Sequence, residues 1–108
     1  MLKTNFHDAK LDAIELKILG NTTLILSVSF YANEQSRARV PGVVTISNVT
    51  SMSSTIDFKR QEHHRSFGNI ADWSPATRRG PTSFYLAGGM ITVFGDVPEI
   101  QVIDTETN

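Results

Sequence analysis

Cysteine is absent from this 108-residue chain, which excludes a disulfide framework and any thiolate metal site. Long apolar runs are missing as well, and none approaches the roughly 20 residues of a membrane-spanning helix. The opening stretch Met1-Leu2-Lys3-Thr4-Asn5-Phe6 has no apolar segment after its charge, so a signal peptide and membrane association are not expected and a cytoplasmic location is. Charge of one sign is not in excess. Ten Lys and Arg against 11 Asp and Glu leave a net charge of −1, neither the basic balance of a nucleic-acid-binding domain nor the acidity of a nucleic-acid mimic. Internal repeats and low-complexity stretches are lacking. With 40% hydrophobic and 19% charged residues, the composition is that of an ordinary globular domain. The length fits one domain over residues 1–108, with 104–108 as a frayed tail.

What the chain does have is alternation. Ile14, Leu16 and Ile18 alternate with Glu15 and Lys17, and Leu24, Leu26, Val28 and Phe30 alternate with Ile25, Ser27 and Ser29. A period of two is that of strands with one face on a core. Loop parity refines the pairing. A two-residue Gly20-Asn21 turn would point the two apolar faces apart, whereas a three-residue Gly20-Asn21-Thr22 loop pairs Ile18 with Leu24, Leu16 with Leu26 and Ile14 with Val28; a five-residue loop keeps the same parity. Nearer the C-terminus a two-residue Gly88-Gly89 turn pairs Leu86 with Ile91 and Phe84 with Val93. Further strands are read over Val43 to Ser47, Met52 to Phe58 and Val97 to Ile103, the last at a sheet edge because of Pro98. Ser74-Pro75-Ala76-Thr77-Arg78-Arg79-Gly80 reads as a single helical turn, and Asn5 to Lys10 as another turn. The fold expected is all-β: an antiparallel β-sandwich or curved sheet of about six to eight strands with one or two short helical turns. Its core is read as Ile14, Leu16, Ile18, Leu24, Leu26, Val28, Phe30, Val44, Ile46, Phe84, Leu86, Ile91 and Val93.

No catalytic constellation overlies this frame. His63 and His64 are adjacent, and neighbouring side chains diverge on either a strand or a helix, so they do not converge on one ion. No metal or cofactor is expected. Serine is plentiful but occupies no nucleophile elbow, and the glycines join strands rather than cradle a phosphate. An enzyme is therefore not expected, and a small hydrolase ranks third among the readings. Chemistry of another kind gathers in the polar span from Lys59 to Pro81, where Arg60, His63, His64, Trp73, Arg78 and Arg79 stand together. Arginine beside tryptophan is the composition of protein-binding hot spots. It is also able to stack single-stranded bases, so a nucleic-acid-binding module using Arg60 to Arg79 is the alternative. The plain reading of Trp73 is a plug at one end of the core.

Phe6-His7-Asp8-Ala9-Lys10-Leu11, followed by a strand, a Gly-Asn turn and a second strand, and Tyr85-Leu86-Ala87-Gly88-Gly89-Met90-Ile91-Thr92-Val93 form a recognisable order. Together they resemble the small β-rich immunity-protein-like domains of bacterial polymorphic and contact-dependent toxin systems. The resemblance implies a non-enzymatic binder that neutralises a cognate protein toxin stoichiometrically, and it supplies no catalytic residues. Were the toxin a nuclease, Asp96, Glu99, Asp104 and Glu106 offer a modest acidic patch. A homodimer through an edge strand, Val97 to Ile103, is a further expectation.

Overall fold

The computed structural model describes residues 6, 9–18, 20–31, 38–56, 69–86 and 88–103. They form eight strands: β1 (Ala9–Lys17), β2 (Thr23–Phe30), β3 (Val40–Ile46), β4 (Ser51–Ile56), β5 (Asn69–Ser74), β6 (Gly80–Leu86), β7 (Gly89–Gly95) and β8 (Glu99–Val102). All pairings are antiparallel, in one sheet of order β4-β7-β6-β5-β1-β2-β3-β8. The all-β antiparallel architecture is thus as the alternation predicts. Proline before β8 does coincide with an edge, the residue type that tolerates a missing N–H there.

The sheet is strongly curved. Its halves, β4-β7-β6-β5 and β1-β2-β3-β8, join among the described residues through two residue pairs, Ala9 with Ile70 and Lys10 with Asn69. A bulge stands beside the join on each side, with Asp12 extra in β1 and Ala71 extra in β5. Bulges bend a strand and strengthen its twist, which lets the inward faces of both halves share one core. Ser29 Oγ donates to Asp12 Oδ2 at 2.6 Å, and the Trp73 N–H donates to Asp72 Oδ1 at 2.8 Å, so carboxylates hold both irregularities. Phe6 lies between the halves. Its ring sits 5.3 Å from Phe30 of β2 and 4.6 Å from Trp73 of β5, and Trp73 stacks on Phe84 of β6 at 5.6 Å.

Ten of the thirteen residues assigned to the core from sequence are buried, and Ile14 packs partly buried against them. Leu16 and Ile18 are corrections: they are 42% and 68% exposed. The hairpin takes the five-residue form, Lys17 pairing with Thr23, so Leu16 faces Leu24 and Ile14 faces Leu26. Leu16 keeps the inward phase one residue from the end of the strand, and Ile18 lies in the loop. The bulge at Asp12 rephases β1, so Ala9 and Leu11 fill the core at odd positions where the even-numbered pattern had no entrant.

The C-terminal turn is also corrected. Leu86 pairs with Gly89 and Phe84 with Ile91, so Gly89 belongs to β7 and the register is displaced by two residues. A two-residue slip leaves every side chain on its face, so parity alone cannot select between these registers. No helical turn forms over residues 74–80. Ser74 ends β5, and the Ala76 N–H donates to the buried Thr82 Oγ1 at 3.1 Å. A buried hydroxyl thus takes the donor and draws Ala76 inward. Before β1, the Ala9 N–H donates to the Phe6 carbonyl at 2.8 Å, closing a turn.

Candidate interaction surface

The outward face of β4, β7 and β6 is set by the same parity that buries their other face. Phe84, Ile91 and Val93 point inward, so Tyr85, Met90 and Phe94 must point outward. Tyr85 lies opposite Met90, and Met90 opposite Thr55; Phe94 lies between Pro81 and Ser51. Between these rows runs a third, of Ser53, Thr92 and Ser83, in which the Ser83 and Thr92 hydroxyls are 3.1 Å apart and hydrogen-bonded. None of the three strands contains a charged residue. Tyr85, Met90 and Phe94 are each about two-fifths exposed, at 38%, 39% and 42%. A neutral face of hydroxyls and large apolar groups, held by three paired strands, is suited to contact rather than to bond-making chemistry. A shallow depression of about 110 Å³ opens on it, lined by Ser53, Ser54, Thr55, Met90 and Thr92.

Charge returns at one end of the face. Arg79, in the β5–β6 connection, donates through Nη1 to Asp96 Oδ1 at 2.9 Å and to the Asn48 carbonyl at 2.8 Å. Its guanidinium carbon is 6.0 Å from the centroid of the Phe94 ring, at the outer limit of cation–π attraction. Asn48 adopts φ 53°, a left-handed conformation that asparagine accepts more readily than most residues, and its side-chain amide donates to Asp96 Oδ2 at 2.6 Å. The Asp96 N–H donates to the Ser47 carbonyl, and the Val49 N–H to the Thr22 carbonyl, both at 2.9 Å. Residues 47–50 carry the chain from β3 in one half to β4 in the other, so this cluster ties the halves together at that end. An open depression of about 510 Å³ beside it is lined by Ser47, Arg79, Asp96, Val97 and Glu99.

The Asn48 amide, and then the Arg79 guanidinium, hold the Asp96 carboxyl below its ordinary value of 3.8. A carboxyl depressed on folding adds stability above its unfolded pKa and loses that contribution as pH falls through the folded value. Asp96→Asn is accordingly expected to be less stable than the parent at pH 7, with the gap closing as pH drops below about 4. Urea midpoints at pH 7, 5, 4 and 3 measure this, and a gap that stays constant with pH would contradict it.

Of the six sequence-derived binding residues, the structure describes Trp73, Arg78 and Arg79. Arg60, His63 and His64 lie outside the described residues, as does the whole stretch 59–68 of the span containing them. Arg78 and Arg79 are exposed, and Arg79 reaches the end of the neutral face. Trp73 is a correction. It is 7% exposed and packed between Phe6 and Phe84, so it belongs to the core rather than to a surface. Among the described residues, no group of three or more His, Asp or Glu is placed to hold a metal ion, and no helix is long and apolar enough to cross a membrane. Tyr85, Met90 and Phe94 lie outside the polar and basic span, although the alternation that marks Phe84 and Ile91 as core marks them as its opposite face. Compared with known proteins, the chain matches no family model, and no curated protein or solved structure matches it.

Proposed function

We propose that this chain is a non-enzymatic protein-binding domain, and in its most specific form an immunity protein that neutralises a cognate bacterial toxin by stoichiometric binding. The observation carrying the general reading is the neutral β4-β7-β6 face with Tyr85, Met90 and Phe94 exposed on it and Arg79 at its end. Exposed apolar side chains gathered on one face mark interaction sites, and Tyr and Arg are over-represented among binding anchors. The buried Phe84, Ile91 and Val93 beneath keep the face rigid, so little conformational freedom is lost on docking. The toxin-neutralising form rests on the resemblance of the two hairpin-bearing segments.

The test is capture of partners from the native host with tagged protein, beside a Tyr85→Ala/Phe94→Ala variant shown by circular dichroism to be folded. One stoichiometric protein partner is expected, inhibited by this chain at a one-to-one ratio. Loss of a single anchor worth about 2 kcal/mol weakens binding roughly thirty-fold, so the double variant should release it. Recovery of nucleic acid alone, with retention that falls steeply as salt rises, would replace this reading by the nucleic-acid one.

A further inference from the structure

Among the described residues the sheet ends in two edges, β4 and β8. Soluble proteins blunt such edges with charge, proline, bulges or short length, because an open strand presents unpaired N–H and C=O groups to any other strand. β8 has three of these devices: it is four residues long, it follows Pro98 and it carries Glu99. β4 has none. Its six residues, Ser51-Met52-Ser53-Ser54-Thr55-Ile56, are uncharged and proline-free, pair with β7 in unbroken register, and are exposed from Ser51 through Thr55.

We propose that a second copy of this chain occupies the β4 edge, the two β4 strands pairing antiparallel about a twofold axis. The edge is compatible with its own copy in a way that few sequences are. Opposed residues of an antiparallel pair point to the same side of the sheet, and a twofold that pairs antiparallel strands stands perpendicular to it. The axis must therefore pass midway between a residue and its own copy, so that this residue faces itself, and a register centred on Ser53 or Ser54 retains five residue pairs. About Ser53 the outward pairs are Ser51 with Thr55 and Ser53 with itself, which are hydroxyl pairs with no like charges opposed. On the inward side Met52, 42% exposed although its neighbour Val93 is fully buried, comes diagonally beside Met52 of the copy. Self-pairing thus covers the one inward-facing side chain of β4 that is large and open to water among the described residues. It also sets the two Tyr85-Met90-Phe94 faces on the same side of a continuous sheet. The edge expected from sequence to pair copies, Val97 to Ile103, is the blunted one.

Five pairs make a small interface, so the association should be reversible, with a dissociation constant on the order of 10–100 μM. Sedimentation equilibrium from 5 to 500 μM is expected to show a mass rising from 11.9 kDa toward twice that value. Ser53→Lys and Ser53→Glu should each stay monomeric at 500 μM, while an equimolar mixture of the two regains the dimer. Gln101→Lys on β8 should leave association unchanged. A parent that is monomeric at every concentration overturns the proposal, as does a dimer that survives Ser53→Lys or is lost in Gln101→Lys instead. Should the Ser53 variants fail to fold, hydrogen exchange on the unaltered chain decides. β4 amides must become slower to exchange between 10 and 500 μM, and unchanged protection there overturns the inference.

Discussion

Trp73→Ala is expected to lower folding stability by about 3–5 kcal/mol, the usual cost of truncating a large buried aromatic. That is a large share of the roughly 5–15 kcal/mol that holds a domain of this kind together. The size follows from where the indole sits. Phe6 is 4.6 Å away on one side and Phe84 is stacked 5.6 Å away on the other, and Phe6 in turn packs edge-on to Phe30 at 5.3 Å. These four rings bridge the two halves of the sheet. Removing the central one leaves a gap that neither half is free to fill, because the β1–β5 join and the Asn48–Arg79–Asp96 cluster fix the halves at two places. Urea unfolding followed by circular dichroism is the measurement, since Trp73 is the single tryptophan and its fluorescence disappears with it. With a slope of about 1–3 kcal/mol per molar urea, the midpoint should fall by at least 1 M. A shift below about 0.3 M would place Trp73 outside the core. Arg78→Ala, at an exposed position, should stay within about 0.5 kcal/mol of the parent. Any binding lost in Trp73→Ala would then report unfolding rather than a missing anchor.

Trp73 also shows where the sequence was legible and where it was not. Alternation assigns a side of the sheet wherever a strand is regular, which is why Leu24 to Phe30 and Phe84 to Val93 divide into inward and outward residues as the structure divides them. A bulge breaks that rule by shifting the phase. In β5, Ile70 and Trp73 both point inward although they differ in parity, because Ala71 is inserted between them. The polar context of Trp73 and the neighbouring arginines then read as surface. In β1 the same shift was visible in principle: Ala9 and Leu11 keep odd positions, whereas Ile14, Leu16 and Ile18 keep even ones. A phase change within one apolar run is a bulge signature. Register is legible only to within two residues, as the displaced C-terminal turn illustrates. Long-range closure was not legible at all. Nothing local in Asn48, Arg79 and Asp96 shows that they meet, since they are separated by 17 to 48 positions and joined by the curvature of the sheet.

Gly95→Ala should be the most damaging single-methyl addition at that closure. Gly95 ends β7 at an inward position, opposite Gly80 of β6. A Cβ there would stand 2.9 Å from the Ser47 carbonyl oxygen, 3.0 Å from Ile46 Cγ2 and 3.3 Å from Val49 Cα. Two of these are backbone atoms and the third is a fully buried side chain, so none can step aside alone. The 47–50 connection must move outward as a unit, and overpacking of this kind costs about 1–3 kcal/mol. The movement also pulls the Ser47 carbonyl from the Asp96 N–H and the Asn48 amide from the Asp96 carboxylate. Gly80→Ala is the matched control across the strand pair. Its Cβ would approach nothing closer than the Arg78 carbonyl at 3.6 Å, an ordinary contact, and alanine restricts the unfolded chain more than glycine does. It should be neutral or stabilising by up to about 1 kcal/mol. Urea midpoints of the two variants, with hydrogen exchange at the Asp96 amide, separate the effects. Gly95→Ala should unfold at lower urea with a faster-exchanging Asp96 amide, and Gly80→Ala should leave that amide protected. Equal stability of the two variants would mean that the 47–50 connection yields freely, and that the carboxylate cluster rather than close packing holds this end of the sheet.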